Sequence, residues 1–126
     1  MSEYPPFGLG YPRTELRRLL VTAVLSGEKT STSGLFEEYE AEGEPVPSPG
    51  DRFLLEGFDE EAVAVVEVTE ARVVPASEID AEFARDEGEG FETVDDWRVA
   101  HEEFFGRPIA PDTPIVAIRF GVVERL

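Results

Sequence analysis

Residues 62–74, AVAVVEVTEARVV, constrain the fold of this chain more than any other stretch. They are β-branched and apolar, and their second half alternates apolar with polar side chains. That pattern predicts a long, partly buried strand. RFLLEGF (52–58) predicts a second strand, and Asp59-Glu60-Glu61 a turn joining the two in a hairpin. PIVAIRFGVVE (114–124) predicts a last strand, and the Ser/Thr-rich residues 30–36 a short early one.

Helical spacing marks the rest. Leu16, Leu19, Leu20, Ala23 and Val24 recur with a helical period, Thr14 is a suitable N-cap, and Gly27 is a natural stop. EEYEAEGEPVPSPGD (37–51) is acidic and then proline-rich, and predicts a surface loop ending in a turn at Pro49-Gly50. Pro75 breaks the long strand. Ser77 predicts the cap of a helix over about 77–86, with Ile79, Phe83 and Ala84 on one face. Thr93 predicts the cap of another over about 94–106, carrying Val94, Trp97, Ala100, Phe104 and Phe105. Residues 1–13, rich in Pro, Gly and aromatics, read as an arm laid on the surface of a domain spanning 14–126. The order of elements implies an α+β fold with a mostly antiparallel, curved or closed sheet.

Composition matters at one position. The chain of 126 residues carries ten arginines but a single lysine, Lys29, against 28 acidic residues and a net charge of −17. Lys29 follows Gly27 and precedes Thr30, Ser31, Thr32 and Ser33. One role is to answer the dipole of the helix that ends there. Arginine would serve that role equally well, whereas lysine can be tuned by burial to act as a base. The segment is not a phosphate loop, because the first glycine of that pattern is missing and Glu28 separates Gly27 from Lys29. The absence of cysteine excludes disulfides and thiol catalysis. A single histidine and no Asp/Asn ladder in DEGEGFE (86–92) give no reason to expect a metal or other cofactor. No apolar run approaches membrane-spanning length, and a cytoplasmic, membrane-free protein is expected. The negative charge disfavours generic contact with nucleic-acid backbone.

Three segments together carry a resemblance. LVTAVLSGEKTSTSGLFEEYEAEGEPVPSPGD, EFARDEGEG and DDWRVAHEEFF resemble the ASCH-domain proteins, nearest the stand-alone YhfF-like subgroup, over about residues 14–124. The resemblance implies a PUA-like small β-barrel with flanking helices. It also implies two functions. One is RNA binding, by analogy with PUA domains. The other is a metal-independent amidohydrolase that removes the acyl group of N4-acetylcytidine using Lys, a Thr three residues later, and a distant Glu. Those roles fall on Lys29, Thr32 and Glu87, with Glu89 the alternative to Glu87. The arginine that usually follows the Thr by two residues is here Gly34. Some ASCH members are reported ribonucleases, but neither paired histidines nor a carboxylate–metal cluster is present to support that chemistry.

In an amidohydrolase, a neutral Lys29 would take the proton of Thr32 or of a water. Glu87 would pass a proton to the leaving nitrogen, and backbone amides around 30–33 would face the oxyanion. Ser31, Tyr39, Trp97 and His101 are the candidate substrate contacts. Trp97 and His101 lie four apart on one helical face. They read either as a base-stacking wall or as core with a polar edge, and Tyr39 with Phe36 either lines the pocket or packs. The expected ligand is nucleoside-like, the alternative partner is RNA, and the sequence does not set an oligomeric state.

Overall fold

In the computed structural model, residues 4–7, 15–57, 59 and 61–126 are described. The chain forms α1 (Glu15–Ser26), β1 (Ser31–Leu35), α2 (Phe36–Glu42), β2 (Arg52–Glu56) and β3 (Ala62–Pro75). A 3₁₀ turn (Ala76–Glu78), α3 (Ala81–Asp86), α4 (Val94–Phe105) and β4 (Pro114–Arg125) follow. The four strands make one antiparallel sheet in the order β1-β4-β3-β2. β3 and β4 pair along almost their whole length, with register shifts at Val65/Val66 and Val68/Glu70. Such bulges sharpen the local twist, and the sheet curls into a half-barrel. The predicted hairpin is present, with Phe53 opposite Val66 and Leu54 opposite Val65.

The sheet is covered on both faces. Val116, Ile118 and Phe120 of β4 join Leu20, Val21, Val24, Leu55, Val66 and Val68 in one apolar cluster. Ile115 and Ala117, the alternate residues, join Leu35, Ile79, Phe83, Trp97 and Ile109 in the other. β4 is therefore apolar at four successive positions, Ile115–Ile118, because neither of its faces meets water there. Residues 4–7 lie beside β2: Leu54 N–H donates to the Pro5 carbonyl at 2.8 Å, and Phe7 N–H to the Leu54 carbonyl at 2.7 Å. The Phe7 ring packs 4.9 Å from that of Phe120, centroid to centroid.

Three expectations need correction. Residues 37–42 are helical, because Glu37, Glu38, Glu40 and Ala41 continue a turn begun at Phe36, and Gly43 closes it with φ +66°. The helix after the long strand is capped by Asp80, whose carboxylate accepts from Phe83 N–H at 2.8 Å, and not by Ser77, which lies in the 3₁₀ turn. The buried stripe of α1 runs through Arg17, Leu20, Val21 and Val24, leaving Leu16 and Leu19 exposed. Arg17 is buried facing Glu56 of β2 at 3.6 Å. The expected cap Thr14 lies outside the described residues. Thr93 does cap α4, in a capping box with Asp96. Among the described residues, no helix is long and apolar enough to cross a membrane.

Candidate functional site around Lys29

α1 ends at Ser26, and Gly27 after it, with a φ of +85°, turns the chain so that Lys29 enters the protein just before β1. Lys29 is 2% exposed. Its ammonium Nζ donates to the Ser31 carbonyl at 2.9 Å, the Glu87 carbonyl at 3.1 Å and Glu89 Oε2 at 3.2 Å. Glu87 Oε1 stands at 3.6 Å. β1 is an edge strand, and the Ser31 carbonyl, turned away from β4, takes its hydrogen bond from Lys29 instead of from another strand. Three oxygens meet three N–H bonds, so the cage suits an ammonium rather than a neutral amine.

The acidic glycine loop is clamped onto this cage. Thr30 N–H donates to the Asp86 carbonyl at 2.7 Å. Gly88 has φ +68°, and a Cβ there would stand 2.6 Å from the Glu28 carbonyl oxygen and 2.7 Å from Lys29 N. Only glycine permits both that backbone conformation and that approach.

Glu87 is 1% exposed and fully engaged. Its Oε2 accepts from Trp97 Nε1 and from Ser33 Oγ, each at 2.8 Å. Its Oε1 faces two cationic groups, Lys29 Nζ and His101 Nε2, each at 3.6 Å. Burial pushes the carboxyl up, but His101, Lys29 and the Ser33 hydrogen bond together outweigh it and hold Glu87 below its ordinary 4.5. His101 responds in the opposite sense. Burial pushes it down, yet Glu87, the Trp97 carbonyl and Glu89 raise it above 6.5. The geometry agrees: Nδ1 lies 2.7 Å from the Trp97 carbonyl and must carry hydrogen. Nε2 lies 3.3 Å from Ser33 Oγ, whose own proton is given to Glu87. A second proton on Nε2 completes that contact. With Nε2 protonated, His101 joins Lys29 in facing the carboxylates of Glu87 and Glu89.

The structure brings together Lys29, Glu87, Glu89, Trp97 and His101. Ser31 is buried beside them, but its hydroxyl is spent on the Phe83 carbonyl at 2.9 Å. Trp97, 1% exposed, is core and an anchor for Glu87 instead of an open stacking wall. His101 stacks on it with centroids 4.8 Å apart. Thr32 and Tyr39 stand apart from this group. Thr32 pairs with Ile118 and so shares the face of the first apolar cluster, half-buried. Its hydroxyl makes no hydrogen bond among the described residues. Tyr39 packs against the same cluster, its Cε1 3.4 Å from where a Cβ on Gly34 would lie. Burial, then the carboxylates of Glu44, Glu38 and Glu42, raise the Tyr39 hydroxyl above its ordinary 10.0. Ser33 is the member that sequence reasoning missed. Strand alternation was the available signal, since it puts Ser33 on the face of Ser31 and Leu35.

The curled antiparallel sheet with flanking helices is the architecture of ASCH and PUA-like domains. The family model for the ASCH domain matches residues 10–124, and the chain belongs to that family. Among solved structures, protein EF3133 from Enterococcus faecalis V583 is 26% identical with a TM-score of 0.85, covering 99% of this chain and 79% of that one. The ASCH domain from Lactobacillus crispatus JV V101 is 25% identical with a TM-score of 0.76, covering 98% and 79%. The hypothetical protein PH0355, at 18% identity and TM-score 0.59 over 82% and 90%, shares the fold. No curated protein sequence matches the chain.

Proposed function

We propose that the Lys29 cage is a pocket for a small neutral nucleoside-like ligand, and that with an N4-acylated cytidine it hydrolyses the amide. The observation that carries this is the single lysine of the chain, buried with all three N–H bonds on oxygen, one of them belonging to the part-exposed Glu89. Lys29, as an ammonium, donates to the acyl oxygen and carries the charge that develops there. Its role shifts from the base expected of a neutral amine to a hydrogen-bond donor. Thr32 lies on the other face of β1, so its uncommitted hydroxyl attacks the acyl carbon only with the acyl group docked across the strand edge. Glu89 takes its proton and returns it to the departing nitrogen, and water then hydrolyses the acyl-threonine. Glu87, held ionised between two cations, orients the group and does not itself carry the proton.

Purified protein incubated with N4-acetylcytidine without added metal should release acetate and cytidine, followed by proton NMR. Lys29→Met should slow release at least ~10²-fold, as loss of an oxyanion donor does. No release by folded wild type would remove the hydrolytic reading.

A second reading, a binding module without turnover, is favoured by the position of Thr32 on the apolar face of β1, away from the Glu87–Ser33–His101 group. Saturable nucleoside binding without acetate release would establish it. Binding to RNA backbone fits less well. Lys29 is buried, and Arg52, Arg72, Arg98, Arg107 and Arg119 are each ion-paired to an acidic neighbour. A basic face of the kind that neutralises phosphates is thus not assembled by these residues.

A further inference from the structure

Lys29 is sealed, yet its shell is uneven. The Ser31 and Glu87 carbonyls are backbone groups fixed by β1 and by the clamp at Gly88. Glu87 is locked by Trp97 and Ser33, with its side chain 1% exposed. Glu89 differs from them. Its side chain is 25% exposed and has one partner in the cage, Nζ at 3.2 Å. It lies between Gly88 and Gly90, both at positive φ, +68° and +87°. A Cβ at Gly88 would strike backbone, whereas a Cβ at Gly90 would meet nothing within 4 Å, so the chain is pinned before Glu89 and open after it.

We infer that Glu89 is a removable internal ligand of Lys29, which occupies the position of a ligand's acceptor oxygen and determines which ligands reach the ammonium. The inference rests on the reading of the Lys29 cage as a pocket, but not on turnover. Glu89 offers Nζ what a carbonyl or carboxylate oxygen of a ligand would offer, at the one point of the shell that meets solvent. An acyl carbonyl replaces it on Nζ and leaves the carboxylate free at the mouth. A small carboxylate is disfavoured twice, because it must displace an equivalent group and then face both Glu87 and the displaced Glu89. If the acyl group is cleaved, the same competition expels the carboxylate product.

The test uses acetate as the probe, titrated into the full chain and followed by amide shifts of Thr30, Ser31 and Gly88 in two-dimensional NMR. Glu89→Ala should bind acetate at least tenfold more tightly than wild type, and Lys29→Met in that background should abolish the gain. Glu89→Gln, which keeps size and loses charge, should show a smaller gain and guards against a folding defect in the alanine variant. Equal acetate affinity in wild type and both Glu89 variants, or a gain that survives Lys29→Met, would overturn the inference. A gain in Glu89→Ala with no acetate release by wild type would retain Glu89 as the internal ligand and reject the hydrolysis.

Discussion

The two faces of β1 and β4 make a controlled comparison, since the same strands supply both. On one face, Thr32 and Gly34 oppose Ile118 and Val116, and the surrounding cluster is apolar throughout. On the other, Ser33 and Leu35 oppose Ala117 and Ile115, and the apolar cluster surrounds Glu87, Ser33 and His101, with Lys29 at the strand edge. One face is held by burial, which is insensitive to pH. The other adds charges whose desolvation is offset only while every partner is present. A site is thus built where stability is conditional.

Removing Glu87 should expose that condition most strongly. Glu87→Gln leaves Lys29 and His101 buried without their shared anion, and should cost about 3–5 kcal/mol in urea unfolding at pH 6. Leu55→Ala, in the apolar cluster and 0% exposed, should cost about 2–5 kcal/mol by opening a cavity. The contrast is in pH dependence: Leu55→Ala should shift the wild-type profile down in parallel, whereas Glu87→Gln should flatten it. Parallel profiles for both would mean that the charges contribute nothing specific.

Gly88→Ala should come next. The left-handed backbone alone costs roughly 1–2 kcal/mol, and the methyl carbon would press on the Glu28–Lys29 peptide. The loss should be concentrated in the loop, read as faster amide exchange at Thr30 and Gly88 than in the β3–β4 ladder. Uniform acceleration would show that the clamp is not local.

A smaller effect comes from titration in the wild type. Glu87 is held below 4.5 in the folded protein, so its contribution is present above 4.5 and is lost as pH falls through the folded value. His101 is raised above 6.5, so its contribution is full below 6.5 and is lost as pH rises through the folded value. Stability from this face should therefore be greatest between 4.5 and 6.5. NMR titration placing the His101 transition below 6.5 would contradict the protonated assignment.

What the sequence made legible follows from range. β3 and β4 were readable because long β-branched runs have few alternatives, and Thr93, Gly106 and Gly27 punctuate the helices as local chemistry requires. α2 was not, because seven residues with no buried member give no period to detect, and the glutamates read as loop despite their helix propensity. The stripe on α1 was misplaced because Arg17 is buried facing Glu56, a contact between distant segments. Lys29 stood out as a compositional exception. Glu87 came from resemblance, and Ser33 was passed over, because the bond joining them spans 54 residues.

Thr32 offers the smallest structural perturbation and a sharp functional one. Its side chain lies on the apolar face, half-buried, while the next residue, Ser33, belongs to the polar one. Thr32→Val keeps the shape and removes a hydroxyl that has no partner among the described residues. It should change stability by about 1 kcal/mol or less, and should leave the His101 titration where it is in wild type. Acetate release, in contrast, should disappear if this hydroxyl attacks an acyl group docked at the edge of β1, because Ser33, tied to Glu87, Trp97 and His101, cannot replace it. Full activity in Thr32→Val would transfer the attack to water activated by Glu89. It would also make the two faces of β1 separate in function as they are in packing.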